Sequence, residues 1–305
     1  MLRLFGSELL RTRSRRLIPV LVVACLLGTV VGMTIAAVQS KKPTQQQLDA
    51  AERRYQRDLT ACLAGGRYSS EYGSLEEACN ANIQVGNYLS GGMELAELPA
   101  VVQGVAFVVI LLGLVIGASL VGAEFSAGTV ATLLAWDARR IRVLLTRALA
   151  TALAALVVAV VVLAFFSSAY ALATLARGIT EAPRVVGDTV EVIARVAAAT
   201  VVASLIGMSL ATVARSTAGG LGILLGYMVL VEGFLRGLIR GLGTYLFALN
   251  TFVFVSDQPQ QIADGGGPRA HLDLTTPNEA LLVMAIWVVA LVAIALAAFR
   301  SRDVS

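Results

Sequence analysis

Lysine is nearly missing from this chain: of 305 residues only Lys41 and Lys42 are lysines, against 22 arginines. A phosphate-cradling loop of the form G-x-x-x-x-G-K-[ST] needs a lysine behind its glycines to reach the β- and γ-phosphates. No such string occurs. Gly219-Gly220-Leu221-Gly222 is glycine-rich but opens an apolar run, where small residues serve helix packing. The chain is therefore not expected to bind and hydrolyse ATP by itself. Histidine is scarcer still, with His271 alone in a polar stretch beside Arg269 and Asp273. One histidine cannot build an H-E-x-x-H zinc site, and there is no G-x-S-x-G nucleophile elbow. Ser167, Ser168, Ser204 and Ser209 lie in apolar runs, where hydroxyls bond to their own helix or across helices. No catalytic and no metal-binding residue is expected, which disfavours an intramembrane enzyme. No paired carboxylates occur within an apolar run, which argues against a proton-relay antiporter.

Charge is short overall, at 14% of residues, where soluble domains carry roughly a quarter. Hydrophobic residues make up 57%, and the mean hydropathy is +0.78. Apolar runs recur at Leu17–Gln39, Pro99–Val121, Ala148–Ala176, Val190–Ala214, Gly219–Leu235 and Ala280–Phe299. Runs of about 20 residues can cross a ~30 Å hydrocarbon core as helices, the default spanning element because backbone groups in lipid must be satisfied internally. The fold expected is an all-α transmembrane bundle of six spans. Leu238–Val255 is also mostly apolar, but Gly237, Gly241 and Gly243 interrupt it. As a seventh span it would place the termini on opposite sides. The reading adopted is a re-entrant or interfacial helix pair between spans five and six, within an outer region 236–277. Positive charge near span ends marks the cytoplasmic side. With the N-terminus inside, segments 1–16, 122–147, 214–217 and 300–305 hold 12 basic and 4 acidic residues, and the remainder 12 basic and 16 acidic. Both termini are expected in the cytoplasm.

Residues 1–16 place Leu2, Phe5 and Leu9 on one helical face with five arginines around them, the pattern of an amphipathic helix in the headgroup layer. The 23-residue run behind it exceeds a signal-peptide core, so an uncleaved first span is expected. The first outer segment, 40–98, has helical grammar of its own. Thr44…Gln47 and Ser74…Glu77 read as capping boxes ahead of Leu48, Tyr55, Leu59 and Cys62, and of Leu75, Ala78 and Cys79. An oxidising exterior permits a Cys62–Cys79 disulfide, with two free thiols or a metal site as alternatives; Cys25 is read as a packing residue in the first span. Glu191/Arg195 and Glu232/Arg236 are spaced for local ion pairs near the outer ends of spans four and five. An intramembrane acid is also a functional candidate, so the Glu232–Arg236 pair is either structural or part of a substrate or proton path. Asp257–Pro277, with Gly265-Gly266-Gly267-Pro268, reads as a flexible loop.

One polar interruption between apolar runs carries a dense arginine cluster: Gly122–Arg147, GAEFSAGTVATLLAWDARRIRVLLTR. Phe125, Thr129 and Leu133 fall at i, i+4 and i+8 of one helix lying on the membrane surface, and Val130 and Leu134 widen the stripe. Ser126, Ala127, Gly128 and Ala131 would let a partner approach closely. Glu124 is read at the helix start, where a carboxylate suits the macrodipole or meets a partner's arginine. Arg139, Arg140 and Arg142 are also placed to bind anionic lipid, and a lipid-anchoring loop is the plainer alternative.

This segment resembles the type-2 permease family of ABC transporters in its bacterial two-component form. The matching residues are Gly122-Ala123-Glu124-Phe125, Gly128-Thr129, Leu133-Leu134 and the basic stretch Arg139–Arg147 with Val143-Leu144. The N-terminal basic helix, the six-span layout and the Phe299-Arg300-Ser301-Arg302-Asp303 ending extend the resemblance along the whole chain; the sharp motif covers only these 26 residues. It implies a permease of the bacterial cytoplasmic membrane whose segment between spans two and three is a cytoplasmic coupling helix. Docking of a separately encoded ATPase would fall to Glu124, Phe125, Gly128, Thr129, Leu133, Arg139 and Arg140. It further implies that ATP and Mg are held by that subunit, with no cofactor in this chain, and that a second permease copy or paralogue completes the path. Lipids are the remaining expected contacts, and no nucleic acid is expected. Export of a hydrophobic or amphipathic compound fits; a sensor or scaffold whose outer segment binds a ligand is the rival.

Overall fold

The computed structural model describes residues 16–40, 44–65, 79, 83, 88, 93–128, 140–177, 185–239, 241–264 and 271–301. Residues 1–15 of the N-terminal helix, the second capping box at Ser74 and residues 129–139 of the Gly122–Arg147 segment fall outside these residues. In chain order the helices are α1 (Leu17–Gln39), α2 (Gln45–Gly65), α3 (Leu98–Ser126, led in by a 3-10 turn at Leu95–Glu97), α4 (Arg140–Arg177) and α5 (Val185–Ala214). They continue as α6 (Thr217–Tyr227), which widens into a π-helix over Met228–Leu235 and closes with a turn at Arg236–Leu238. Then come α7 (Phe247–Ser256), an antiparallel hairpin of β1 (Gln260–Asp264) and β2 (His271–Thr275), and α8 (Pro277–Ser301).

Six of these stretches are long and apolar enough to cross a membrane: Leu17–Gln39, Leu95–Ser126, Ile141–Ala176, Val185–Ala214, Thr217–Leu238 and Pro277–Arg300. The fifth apolar run of the sequence, Gly219–Leu235, stops at Arg236. The helix carries on through that arginine by shifting to the wider π turn. Among the described residues between spans five and six there is one ten-residue helix, α7, preceded by a 3-10 turn at Gly243–Tyr245, where a helix pair was expected. At about 15 Å, α7 is half the length a crossing needs.

The loop expected over Asp257–Pro277 is a correction. Gln260 pairs with Thr275 and Asp264 with His271 in a two-stranded ladder. His-Leu-Asp-Leu-Thr alternates polar and apolar with period two, the strand pattern, behind a glycine-rich turn signal. Opening α8 is a capping box not noted above: the Thr276 N–H donates to Glu279 Oε2 at 2.8 Å and the Glu279 N–H donates back to Thr276 Oγ1 at 3.4 Å. At α2, Gln47 Oε1 accepts from the Thr44 N–H at 2.9 Å and from its hydroxyl at 3.1 Å.

The chain divides into two compact units, one of Met1–Leu26, Pro99–Phe165 and Val186–Ser305, the other of Leu27–Leu98 and Phe166–Val185. In the first, α3 and α5 approach to backbone contact. A Cβ on Gly117 would sit 1.9 Å from the Ser204 carbonyl oxygen, and one on Gly207 would sit 2.3 Å from that of Leu114. Without a hydrophobic drive between helices in lipid, small residues give association through close packing. Leu114 and Ile116 on α3 and Val196 and Met208 on α5 are each 2% exposed or less. Ser204 and Ser209 hydroxyls donate to carbonyls of their own helix, at Val201 and Leu205. In the second unit Cys62 and Cys79 are joined in a disulfide, Cα atoms 6.0 Å apart, and the Tyr88 hydroxyl donates to Asp58. Buried Tyr170 donates to the Glu94 carbonyl at 3.0 Å. Burial, with Glu97 nearby, holds the Glu94 carboxyl above the usual carboxylate range.

Candidate functional site

The described part of the Gly122–Arg147 segment is its root. Helix α3 runs through Glu124 to Ser126, so Glu124 lies at a helix end and not at a helix start. A carboxylate there opposes the macrodipole. What offsets this is Arg147 of α4, whose guanidinium pairs with Glu124 Oε2; the arginine side chain is 4% exposed and the glutamate 12%. The expectation of Glu124 at a helix start is thus corrected. Arg147, read above only as part of a surface cluster, is the buried partner. The missed signal is its setting: it falls between Leu144-Leu145 and Ala148-Leu149, deeper in the apolar helix than Arg139, Arg140 or Arg142.

Phe125 also turns inward. Its ring meets Phe299 of α8 edge-on, centroids 6.3 Å apart, within a cluster of Leu144, Ala295 and Phe299 that Val213 and Leu296 complete. A Cβ on Gly122 would stand 2.4 Å from the Thr217 backbone nitrogen, so α3 and the start of the fifth span touch through backbone. Spans two to six therefore meet at this joint. Past it the helix unwinds: the Gly128 N–H reaches the Phe125 carbonyl at 3.2 Å, and Gly128 takes φ +68°. That left-handed conformation, and not the empty space around it, is what requires glycine. Thr129, Leu133 and Arg139 lie outside the described residues; Arg140 begins α4, its side chain likewise undescribed.

A second feature of the same unit is a cavity of about 290 Å³ between α3, the π-helical turn and α7. Phe107, Ile110 and Leu111 face Met228, Thr251 and Phe252 across it, and Gln103 and Ser256 are among its few polar lining residues. In the same π-helical turn, Glu232 does more than face Arg236. Its Oε1 accepts from the Ala248 N–H at 2.8 Å, while the Tyr227 hydroxyl oxygen accepts from the Phe247 N–H at 3.1 Å; Arg236 acts on the carboxylate electrostatically. Arg195 donates to Glu191 at 2.9 Å, the pair read from spacing, and also to Asp257 at 2.7 Å. Its guanidinium lies 5.7 Å from the centre of the Phe254 ring. Tyr227 and Asp257 had no sequence neighbour to give them away. Among the described residues, no group of three His, Cys, Asp or Glu stands close enough to hold a metal.

Comparison with known families and proteins agrees with this anatomy. A family model described as ABC-2 family transporter protein matches residues 5–304. No curated protein matches the chain. With six helices fit to span a membrane and a family match over nearly its whole length, the chain belongs to the ABC-2 family, as a multi-pass transmembrane permease, the non-catalytic component of an ABC transporter that works with an ATPase.

Proposed function

We propose that this permease exports a hydrophobic or amphipathic compound across the bacterial cytoplasmic membrane, driven by an ATPase subunit docked from the cytosol on the Gly122–Arg147 segment. Gly128, Thr129, Leu133, Arg139 and Arg140 form the docking face, and Glu124 and Phe125 pass its motion inward. ATP and Mg sit on the partner, both termini are cytoplasmic, and a second permease copy or paralogue completes the path. The observation that carries this reading is the joint at the segment's root. Glu124 paired to Arg147, and Phe125 packed on Phe299, tie that segment to several spans at once. A push on the segment then moves the bundle, because a close-packed joint transmits displacement instead of absorbing it. The mostly apolar lining of the cavity suits a substrate drawn from lipid.

Co-purification with the partner tests it. Leu133→Asp should strip the ATPase from detergent-solubilised complexes, leaving permease yield unchanged, and Arg139→Ala should weaken its retention. Full ATPase recovery with Leu133→Asp would overturn the docking face. Recruitment of a cytoplasmic partner that lacks nucleotide hydrolysis would favour the sensor or scaffold.

A further inference from the structure

Helix α7 is short, its first amide groups need acceptors, and its own N-cap residue, Leu246, has no side chain to offer them. Those acceptors come from 20 and 16 residues upstream: the Tyr227 hydroxyl for Phe247 and the Glu232 carboxylate for Ala248. At the other end, Arg195 reaches from α5 to the Phe254 carbonyl at 3.4 Å and to Asp257, the C-cap residue, held at φ +54°. An anion at the N-terminus and a cation at the C-terminus are the placements that a helix dipole favours. Trp287 of α8 fixes the approach by donating from Nε1 to the Tyr245 carbonyl at 2.9 Å, and the Tyr227 ring meets its indole edge-on. Apolar packing joins α7 to α8, with Val253 on Ala280 flanked by Leu249 and Phe254. Fewer than about 12 residues make a marginal helix without such help.

We propose that Glu232, with Tyr227, and Arg195 are positioning residues that clamp α7 from both ends and so set the wall of the apolar cavity. The wall residues Phe247, Thr251, Phe252 and Val255 all ride on this helix. Releasing either end lets it swing, and the cavity changes shape without any change in its lining side chains. The clamp assigns Glu232 a backbone partner in place of a purely local pair with Arg236. That the cavity serves the substrate rests on the export reading above; the clamp itself does not.

The test is amide hydrogen exchange on the permease in lipid nanodiscs with its ATPase subunit bound. Glu232→Ala should speed exchange of the Phe247–Ser256 amides at least tenfold, leaving α3 unchanged, and Glu232→Gln, which keeps an acceptor oxygen, should restore most of the protection. Arg195→Ala should act most on the C-terminal half. In a Trp136→Phe background, Trp287 emission should move to longer wavelength in Glu232→Ala and stay in place in Glu232→Gln. If Glu232→Ala fails to insert, Tyr227→Phe, which deletes one hydroxyl, should speed exchange at Phe247 about threefold. Unchanged α7 exchange in these variants, or Glu232→Gln behaving as Glu232→Ala, overturns the clamp. Loss of the docking reading through Leu133→Asp would leave these exchange results untouched, so the two can fail separately.

Discussion

Arg147 is 4% exposed and its carboxylate partner 12%, so neither charge has much water to fall back on. Arg147→Ala removes the buried cation from this pair and should destabilise the bundle by about 3–5 kcal/mol, the range for removing one partner of a buried pair. Replacing both with apolar residues, Glu124→Leu with Arg147→Met, should recover most of that, because a well-packed apolar pair is often neutral or better. Thermal unfolding in detergent reads the first effect. ATP hydrolysis by the assembled complex reads whether stability restored without charge still couples. A double variant as unstable as Arg147→Ala would mean the pair is not what holds the joint. Glu94 offers a separate test by pH. Its carboxyl is held above the ordinary range by burial, so folding binds a proton that the unfolded chain has already released. Its stabilising share is present at low pH and is lost as pH rises through the ordinary carboxylate range and then the raised value. Glu94→Gln should flatten that part of the stability–pH curve, and an unchanged curve would contradict the assignment.

At the level of elements, the α3–α5 seam has the least slack. Gly117→Val would drive a side chain into the Ser204 backbone, which cannot move without its helix. The cost should exceed the ~1–3 kcal/mol typical of overpacking, and expression should fail. Gly28→Ala in α1, with nothing within 4 Å, should be silent by the same expression assay. The spans were legible because lipid removes every other option for a 20-residue apolar run. Their ends were less so: the fifth continues past Arg236 by widening its turns, a change no composition window registers. The hairpin was legible and missed, since His271–Thr275 alternates as a strand should. Glu124 was misplaced for a different reason. Its partner is 23 residues away, across a segment whose periodicity says nothing about which charges turn inward. The same blindness hid Tyr227 and Asp257, whose partners lie in other helices.

For the whole molecule, the cysteines report which way it faces. Within this chain the apolar stretch of span one is wholly unburied, and only 6% and 17% of those of spans five and six are buried, leaving long apolar faces for lipid or a second permease. Cys25 lies on the first of these, where a water-soluble reagent has no access. Cys62 and Cys79 belong to the segment that charge sorting places outside, and they are joined. In intact cells a membrane-impermeant maleimide should therefore label nothing at first. After mild reduction it should label Cys62 and Cys79 and still not Cys25. Labelling that requires permeabilised cells would invert the orientation, putting the Gly122–Arg147 segment on the side where no ATPase can reach it. Cys62→Ser with Cys79→Ser should meanwhile cost the outer segment roughly 3 kcal/mol of loop-closure entropy, seen as faster proteolysis of 45–98 from outside. Because the disulfide lies in the other unit from the Glu124–Arg147 joint, ATPase retention should survive its loss. If the ATPase fell away with the staple, the outer segment would itself be part of the drive.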